Sequence, residues 1–339
     1  MNLHACSGHT LALQVLTFVC LASVSFAASA QSISKSTIQL PSAIERLKAE
    51  ATEANLLAKA LRAAALKVDR EFHVGTGVNE INLPEHRCYA IGISLGMDRY
   101  VSHLRFDRRP SLAPTNSEAA HTMRVIAISM DNFQSSVDEV VANKHEQRAE
   151  SWNLDCAGHM QIANVSVPRT GVSTFYQITN DGKVLRVLGA VEAGFASRLR
   201  QAIEKNPKIE YVALGSGGGL VYEALSAGRF IRSMGIKTTL WNNCYSACPL
   251  VFMGGEDRII YSPYPSLGFH QIYSKEGASA PNSRVYVDLF RYLQDMGVDA
   301  RFVVQNMLVA PPDKMNLISG KDESLCKNQI ATWIQRGGC

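Results

Sequence analysis

From about Gly171 onward the chain alternates short apolar strands with amphipathic helices, and this pattern constrains the fold more than any other feature. Thr174 to Ile178 and Val184 to Leu188 read as strands flanking the turn Asn180-Asp181-Gly182. Val191 to Asn206 predicts a helix with Phe195, Leu199 and Ile203 on one face. Ile209 to Leu214 reads as a strand, Leu220 to Met234 as a helix stopped at Gly235, and Ile236 to Trp241 as another strand. Strand-helix-strand repetition requires a parallel or mostly parallel sheet with helical crossovers, so the fold class expected is α/β.

Open α/β sheets place their ligands at the C-terminal ends of strands, and two special turns fall there. The first is Gly215-Ser216-Gly217-Gly218-Gly219, which leads straight into a helix. Glycines permit positive φ and close backbone approach, so free N–H groups at this turn can hold an anion or a developing oxyanion. A phosphate loop is excluded, because the Lys and Ser/Thr that close a Walker motif are missing. The second turn is Asn242-Asn243-Cys244-Tyr245-Ser246-Ala247-Cys248. A serine at a strand-to-helix turn is either an ordinary helix cap or a presented nucleophile. The nucleophile needs a positioned base. Between Val167 and Cys339 the only histidine is His270, in Ser266-Leu267-Gly268-Phe269-His270-Gln271.

The order strand, Ser-x-Gly-Gly turn, helix, strand, serine turn and then His-Gln resembles the proteolytic subunit of Clp protease and its relatives in the crotonase-like superfamily. The resemblance covers roughly Thr174 to Ile330. It implies a ClpP/crotonase-like repeated ββα spiral in the C-terminal half, with Ser246 as nucleophile and His270 as general base. It also implies that the N–H groups of Gly219 and Ala247 form an oxyanion hole, with Gly217 standing where the family usually has Pro. Gly254-Gly255 and Arg258 resemble the family's small-residue turn and following basic residue. The family's catalytic acid precedes a Phe-Leu-Ser, and the similar Leu317-Ile318-Ser319 puts that position on Met315. Either the loop register differs and Asp313 orients His270, or the pair acts as a dyad or is inactive. Asp295, Asp299 and Asp322 are substitutes for the acid.

Upstream, residues 1–30 lack Lys, Arg, Asp and Glu, contain the apolar run Leu11 to Phe26 and end in Ala27-Ala28-Ser29-Ala30. This is the apolar core and cleavage site of a secretory signal, although the basic leader is missing and an uncleaved anchor is the alternative. Without that segment six cysteines remain, an even number that suits disulfides in an oxidising compartment. Cys244 and Cys248 lack the second ligand pair of a zinc site, so no metal and no cofactor is expected. Ile44, Leu47, Ala51, Ala54, Ala58, Leu61, Ala65 and Val68 form a heptad stripe, which serves either packing within the chain or a self-associating coiled coil. Between residues 70 and 165 the pattern is mixed, with strand-like stretches at Cys88 to Ser94 and Met123 to Ser129. The segment Trp152-Asn153-Leu154-Asp155-Cys156-Ala157-Gly158-His159 is compact and unusual, with no chemical role evident from its residues.

The organisation expected is therefore a signal peptide (1–30), an amphipathic helix (41–69), a small mixed α/β accessory region (70–165) and a ClpP/crotonase-like domain (171–335). A net charge of +4 with scattered basic residues excludes a nucleic-acid surface. The functional expectation is an exported, periplasmic or secreted serine peptidase that acts on a peptide or protein without an ATPase partner. Homo-oligomerisation and envelope association are compatible with it. The rival is a catalytically inactive binding or assembly module of the envelope. An acyl-CoA enzyme of the same superfamily fits less well, because CoA thioesters are not expected outside the cytoplasm.

Overall fold

In the C-terminal half, strands carrying apolar residues on both faces are buried by helical crossovers, as the alternating pattern requires. The computed structural model describes residues 42–68, 83–105, 112–159, 162, 165–168, 174–179, 181–261, 265–334 and 339. The signal-like segment 1–30 and Asn180 lie outside the described residues.

The first described part is helical. It comprises α1 (Ala43–Ala65), α2 (Leu83–Ser94), α3 (Asp98–Val101), a 3-10 turn over Ser102–Leu104, α4 (Ser117–Ala142), α5 (His145–Ser151) and a π-helical segment, Trp152–His159. A capping box starts α1: Ser42 Oγ accepts from Glu45 N at 3.2 Å and Ser42 N donates to Glu45 Oε2 at 2.7 Å. The heptad stripe is used within the chain. Leu47 and Ala51 join a buried cluster with α2, while Ala58, Leu61 and Ala65 pack with Met123, Ala127 and Met130 of α4.

Two stretches expected as strands, residues 88–94 and 123–129, are helical instead, and the described part of the accessory region contains no strand. For residues 88–94 the reason is burial on all sides: every residue from His86 to Ile93 is buried, so this stretch of α2 shows no polar face. A short apolar run of that kind does not distinguish a buried helix from a buried strand. Gly92 marks the tight packing, since a Cβ there would lie 2.5 Å from Val101 Cγ1 and 3.1 Å from Trp152.

The second part comprises β1 (Thr174–Ile178), β2 (Val184–Gly189), α6 (Phe195–Glu204), β3 (Tyr211–Ser216), α7 (Val221–Ser233), β4 (Lys237–Tyr245), α8 (Cys248–Phe252), β5 (Arg258–Ile260) and β6 (Leu267–Phe269). There follow the hairpin β7 (Tyr273–Ser274) and β8 (Gly277–Ala278), then α9 (Arg284–Asp295), α10 (Ala300–Val309), β9 (Asn316–Ile318), α11 (Ser324–Lys327) and β10 (Trp333–Ile334). The main sheet runs β1-β2-β3-β4-β5-β10, with β6 pairing β4 and β9 pairing β6. Within the main sheet, among the described residues, β1 against β2 and β9 against β6 are the antiparallel pairs, so the chain is a mixed α/β protein with a mostly parallel sheet. The expected helix at 191–206 is shorter, because Gly194 adopts φ 78° and α6 starts after it. The expected turn at 242–248 begins later, because β4 continues to Tyr245.

All six cysteines outside the signal-like segment are paired: Cys88 with Cys156, Cys244 with Cys248, and Cys326 with Cys339. This is compatible with an oxidising, extracytoplasmic setting. Among the described residues no helix is long and apolar enough to cross a membrane.

His86 gives the helical part a titration. It is buried edge-on to Phe133 at 5.5 Å, and burial lowers its pKa from 6.5 to about 4. The neutral ring is the one that fits the fold, so stability is full above the unfolded value and falls as the pH drops from 6.5 toward 4. Denaturant unfolding at a series of pH values should show this loss, about 3 kcal/mol at its full extent. His86→Leu should leave a clearly shallower slope, and an unchanged slope would contradict the assignment.

Candidate active site

β4 delivers Ser246 at its C-terminal end, and the backbone there is unusual. Ser246 sits at φ 60°, in the left-handed region that a non-glycine residue occupies at a cost of about 1–2 kcal/mol. Three constraints hold it there. Ser246 N donates to Gly268 O of β6 at 2.8 Å. The Cys244–Cys248 disulfide closes over the turn, with Cα atoms 5.2 Å apart. Gly218 presses against the side chain, since a Cβ at that glycine would lie 2.3 Å from Ser246 Cβ and 2.8 Å from Oγ. The residue capping α8 is Ala247, so Ser246 is not a helix cap.

The glycine turn is equally fixed. Val191 grips it from both sides: Val191 N donates to Gly218 O at 2.9 Å and Leu220 N donates to Val191 O at 2.7 Å. Ser216 Oγ accepts from Gly218 N at 3.0 Å. Gly218 and Gly219 adopt φ 98° and 147°, and a Cβ on Gly219 would lie 2.2 Å from Val191 O. Among the described residues, neither the N–H of Gly219 nor that of Ala247 donates a hydrogen bond. Two unused backbone donors therefore belong to the two turns that meet at Ser246. Gly217 has open space around it.

His270 follows β6, which runs parallel beside β4 with Cys244 against Leu267 and Tyr245 against Gly268. Gln271 anchors this corner, with its N donating to Ala310 O at 2.9 Å and its Nε2 to Leu308 O at 3.1 Å. The His270 ring is buried, 5.6 Å from the Tyr273 ring, and burial holds its pKa below the ordinary imidazole value against a smaller opposing effect of Gln271. It is therefore neutral at pH 7, the form that accepts a proton. No hydrogen bond joins Ser246 Oγ to His270, and buried Nδ1 has no partner among the described residues.

Among the described residues none of the candidate acids forms a hydrogen bond with the buried Nδ1 of that ring. Asp313 is exposed on the turn before β9. Asp295 pairs with Arg229 at 3.5 Å, Asp299 caps α10 through Arg301 N at 2.9 Å, and Asp322 accepts from Ser324 N at 2.8 Å. Antiparallel pairing of β6 with β9 ends at Phe269 with Asn316, and the Met315 side chain packs close to Gly268. Gly254 and Gly255 are packing positions against Gly228 and Thr238, and Arg258 is buried, donating to the backbone oxygens of Gly255, Gln329 and Ile330.

Behind the elbow lies a polar cluster made of Arg87, Asp155, Asn242 and Asn243, all buried. Sequence reasoning assigned none of them a role, because their partners lie on elements far apart in the chain. The one pointer was the unusual segment 152–159, which contains Asp155. Among the described residues no group of three or more His, Cys, Asp or Glu is placed to hold a metal ion.

No family model matches the chain. No curated protein matches it either. Among solved structures it is similar to a point mutant of ClpP1 from Listeria monocytogenes, at 16% identity and a TM-score of 0.35, over 45% of this chain and 91% of that one.

The left-handed backbone at Ser246 predicts a stability order. Ser246→Gly should be more stable than Ser246→Ala by about 1 kcal/mol, because only glycine occupies that φ without steric cost. Equal unfolding midpoints for the two variants would argue that the turn is not held left-handed.

Proposed function

We propose that the chain is an exported serine hydrolase acting on peptide bonds, with a ClpP/crotonase-like spiral domain over residues 171–335 and the region 70–165 as its accessory support. The observation that carries this reading is Ser246 held at φ 60° on a strand-to-helix turn, a strained and constrained serine of the kind found at functional sites. In this mechanism Ser246 Oγ attacks the carbonyl carbon while its proton passes to His270 Nε2. The Gly219 and Ala247 N–H groups donate to the resulting oxyanion. The imidazolium then protonates the leaving amine, the C–N bond breaks, and water hydrolyses the acyl-enzyme with His270 again as base. With no hydrogen-bond partner at the buried Nδ1 among the described residues, the pair works as a dyad. Export places it away from cytosolic unfoldases, so it acts without an ATPase partner. The three disulfides favour that compartment. Homo-oligomerisation and envelope association are part of the proposal.

The His270 Nδ1, without a hydrogen-bond partner among the described residues, favours a second reading, a non-catalytic binding or assembly module of the envelope that kept the fold. Ser246→Ala separates the two. A hydrolase loses its biological effect with that change, and a module keeps it.

Purified protein should be labelled by a fluorophosphonate probe at Ser246. His270→Ala should slow labelling by about 100-fold or more, as expected for loss of a general base. Unlabelled Ser246, under conditions where a control serine hydrolase reacts, would contradict catalysis. Because burial lowers the His270 pKa, the acid limb of the labelling rate should fall below the ordinary imidazole value of 6.5. An acid limb centred above that value would contradict the assigned base.

A further inference from the structure

The pairing of β3 with β4 breaks just before the serine. Leu214 pairs with Leu240, but Ser216 pairs with Cys244, so Gly215 alone faces the three residues Trp241, Asn242 and Asn243. Such a bulge leaves strand backbone groups without their usual ladder partners, and buried ones must be satisfied elsewhere. Here the helical part supplies them. Arg87 Nη1 donates to Trp241 O at 3.3 Å, and Asn243 N donates to Asp155 Oδ1 at 3.1 Å. Asn242 sits so close to β3 that a Cβ on Gly215 would lie 2.5 Å from its own Cβ.

Asp155 is the centre of this arrangement. Its Oδ1 also accepts from Asn243 Nδ2 at 3.0 Å, and its Oδ2 accepts from Arg87 Nη1 at 3.2 Å and from Asn242 Nδ2. The Asn243 amide then turns outward, its Oδ1 accepting from Ser266 N at 2.8 Å. Asn243 lies three residues before Ser246, and Ser266 lies four before His270. One carboxylate thus reaches both strands that end in the proposed active-site pair. The π-helical segment that presents it is fixed to α2 by the Cys88–Cys156 disulfide, next to Arg87. Arg87 is itself held by Glu139, with Nη2 to Oε1 at 2.9 Å.

We infer that Asp155 is a positioning residue for the Ser246–His270 pair, and that through it the accessory helices set the alignment of the site. This rests on the hydrolase reading above. A buried carboxylate accepting from a backbone N–H, an arginine and two amides forms charge-assisted bonds, which an amide of the same shape cannot reproduce. Losing them releases the bulge and lets the ends of β4 and β6 slide relative to each other. Misplacement of that kind reduces the rate of the chemical step and leaves probe binding in place.

The test is fluorophosphonate labelling of Ser246 in the full chain, resolved into a maximal rate and a half-saturating probe concentration. It is run well below the unfolding temperature, with the folded fraction measured by near-UV circular dichroism. Asp155→Asn should lower the maximal rate per folded molecule about tenfold or more with the half-saturating concentration unchanged. Asn243→Ser, which cuts the link to Ser266 while keeping the Asp155–Arg87 pair, should show the same loss and decides the matter if Asp155→Asn does not fold. Wild-type maximal rates in folded Asn243→Ser or Asp155→Asn, with stability alone reduced, would overturn the inference and leave the hydrolase reading standing. No labelling of the wild type would overturn both, through the hydrolase reading.

Discussion

The backbone of Ser246 is held in a conformation that serine disfavours, and much of the surrounding structure is arranged around keeping it there. A left-handed residue at the end of a buried strand turns the chain sharply between β4 and α8. The 2.8 Å bond from Ser246 N to Gly268 O fixes the turn to β6, and the Cys244–Cys248 disulfide prevents its two arms from separating. The cost of about 1–2 kcal/mol per strained residue is small against the burial of β4 and α8, whose apolar residues lie inside the main core. The same turn explains the glycines opposite. Any side chain at Gly218 collides with Ser246, and any side chain at Gly219 collides with Val191 O, so the partner loop is glycine by steric necessity.

The two halves of the molecule meet along β4. Its bulge at Trp241–Asn243 opens backbone groups that β3 cannot pair, and charged side chains from α2 and the π-helical segment close them. Trp241 joins in twice more: its Nε1 donates to Glu139 Oε1 at 2.8 Å, and Arg186 stacks over its ring at 4.6 Å. Burying ionised groups is expensive unless they are paired and hydrogen-bonded, and here each has several partners. The arrangement links helices and sheet through polar contacts whose geometry is directional, in contrast to the apolar packing inside each part.

The α/β pattern and the two turns were legible in the sequence because strands and crossover helices in this half leave distinct periods. Phe195, Leu199 and Ile203 fall on one buried helix face as their spacing requires, and Gly235 adopts φ 63° where the helix before it ends. The accessory region was not legible. α2 is buried around its whole circumference, so its apolar run carries no helical period, and its Ile91 and Ile93 read as strand residues. The acid was legible only in outline: alignment to Leu317-Ile318-Ser319 put its position on Met315 and left Asp313, a dyad or an inactive pair as the alternatives. In the structure Asp313 is exposed on the turn before β9, and the Met315 side chain packs near Gly268. Asp155 was out of reach, because its partners Arg87, Asn242 and Asn243 lie 68, 87 and 88 residues away and no local pattern announces a bulge.

The most direct measurement is a crystal structure of the fluorophosphonate-treated protein. The account predicts a phosphonyl group on Ser246 Oγ, with its oxygen about 3 Å from the N–H groups of both Gly219 and Ala247 and the His270 ring beside it. An adduct on another residue, or one on Ser246 whose oxygen faces solvent with both N–H groups unused, would contradict it.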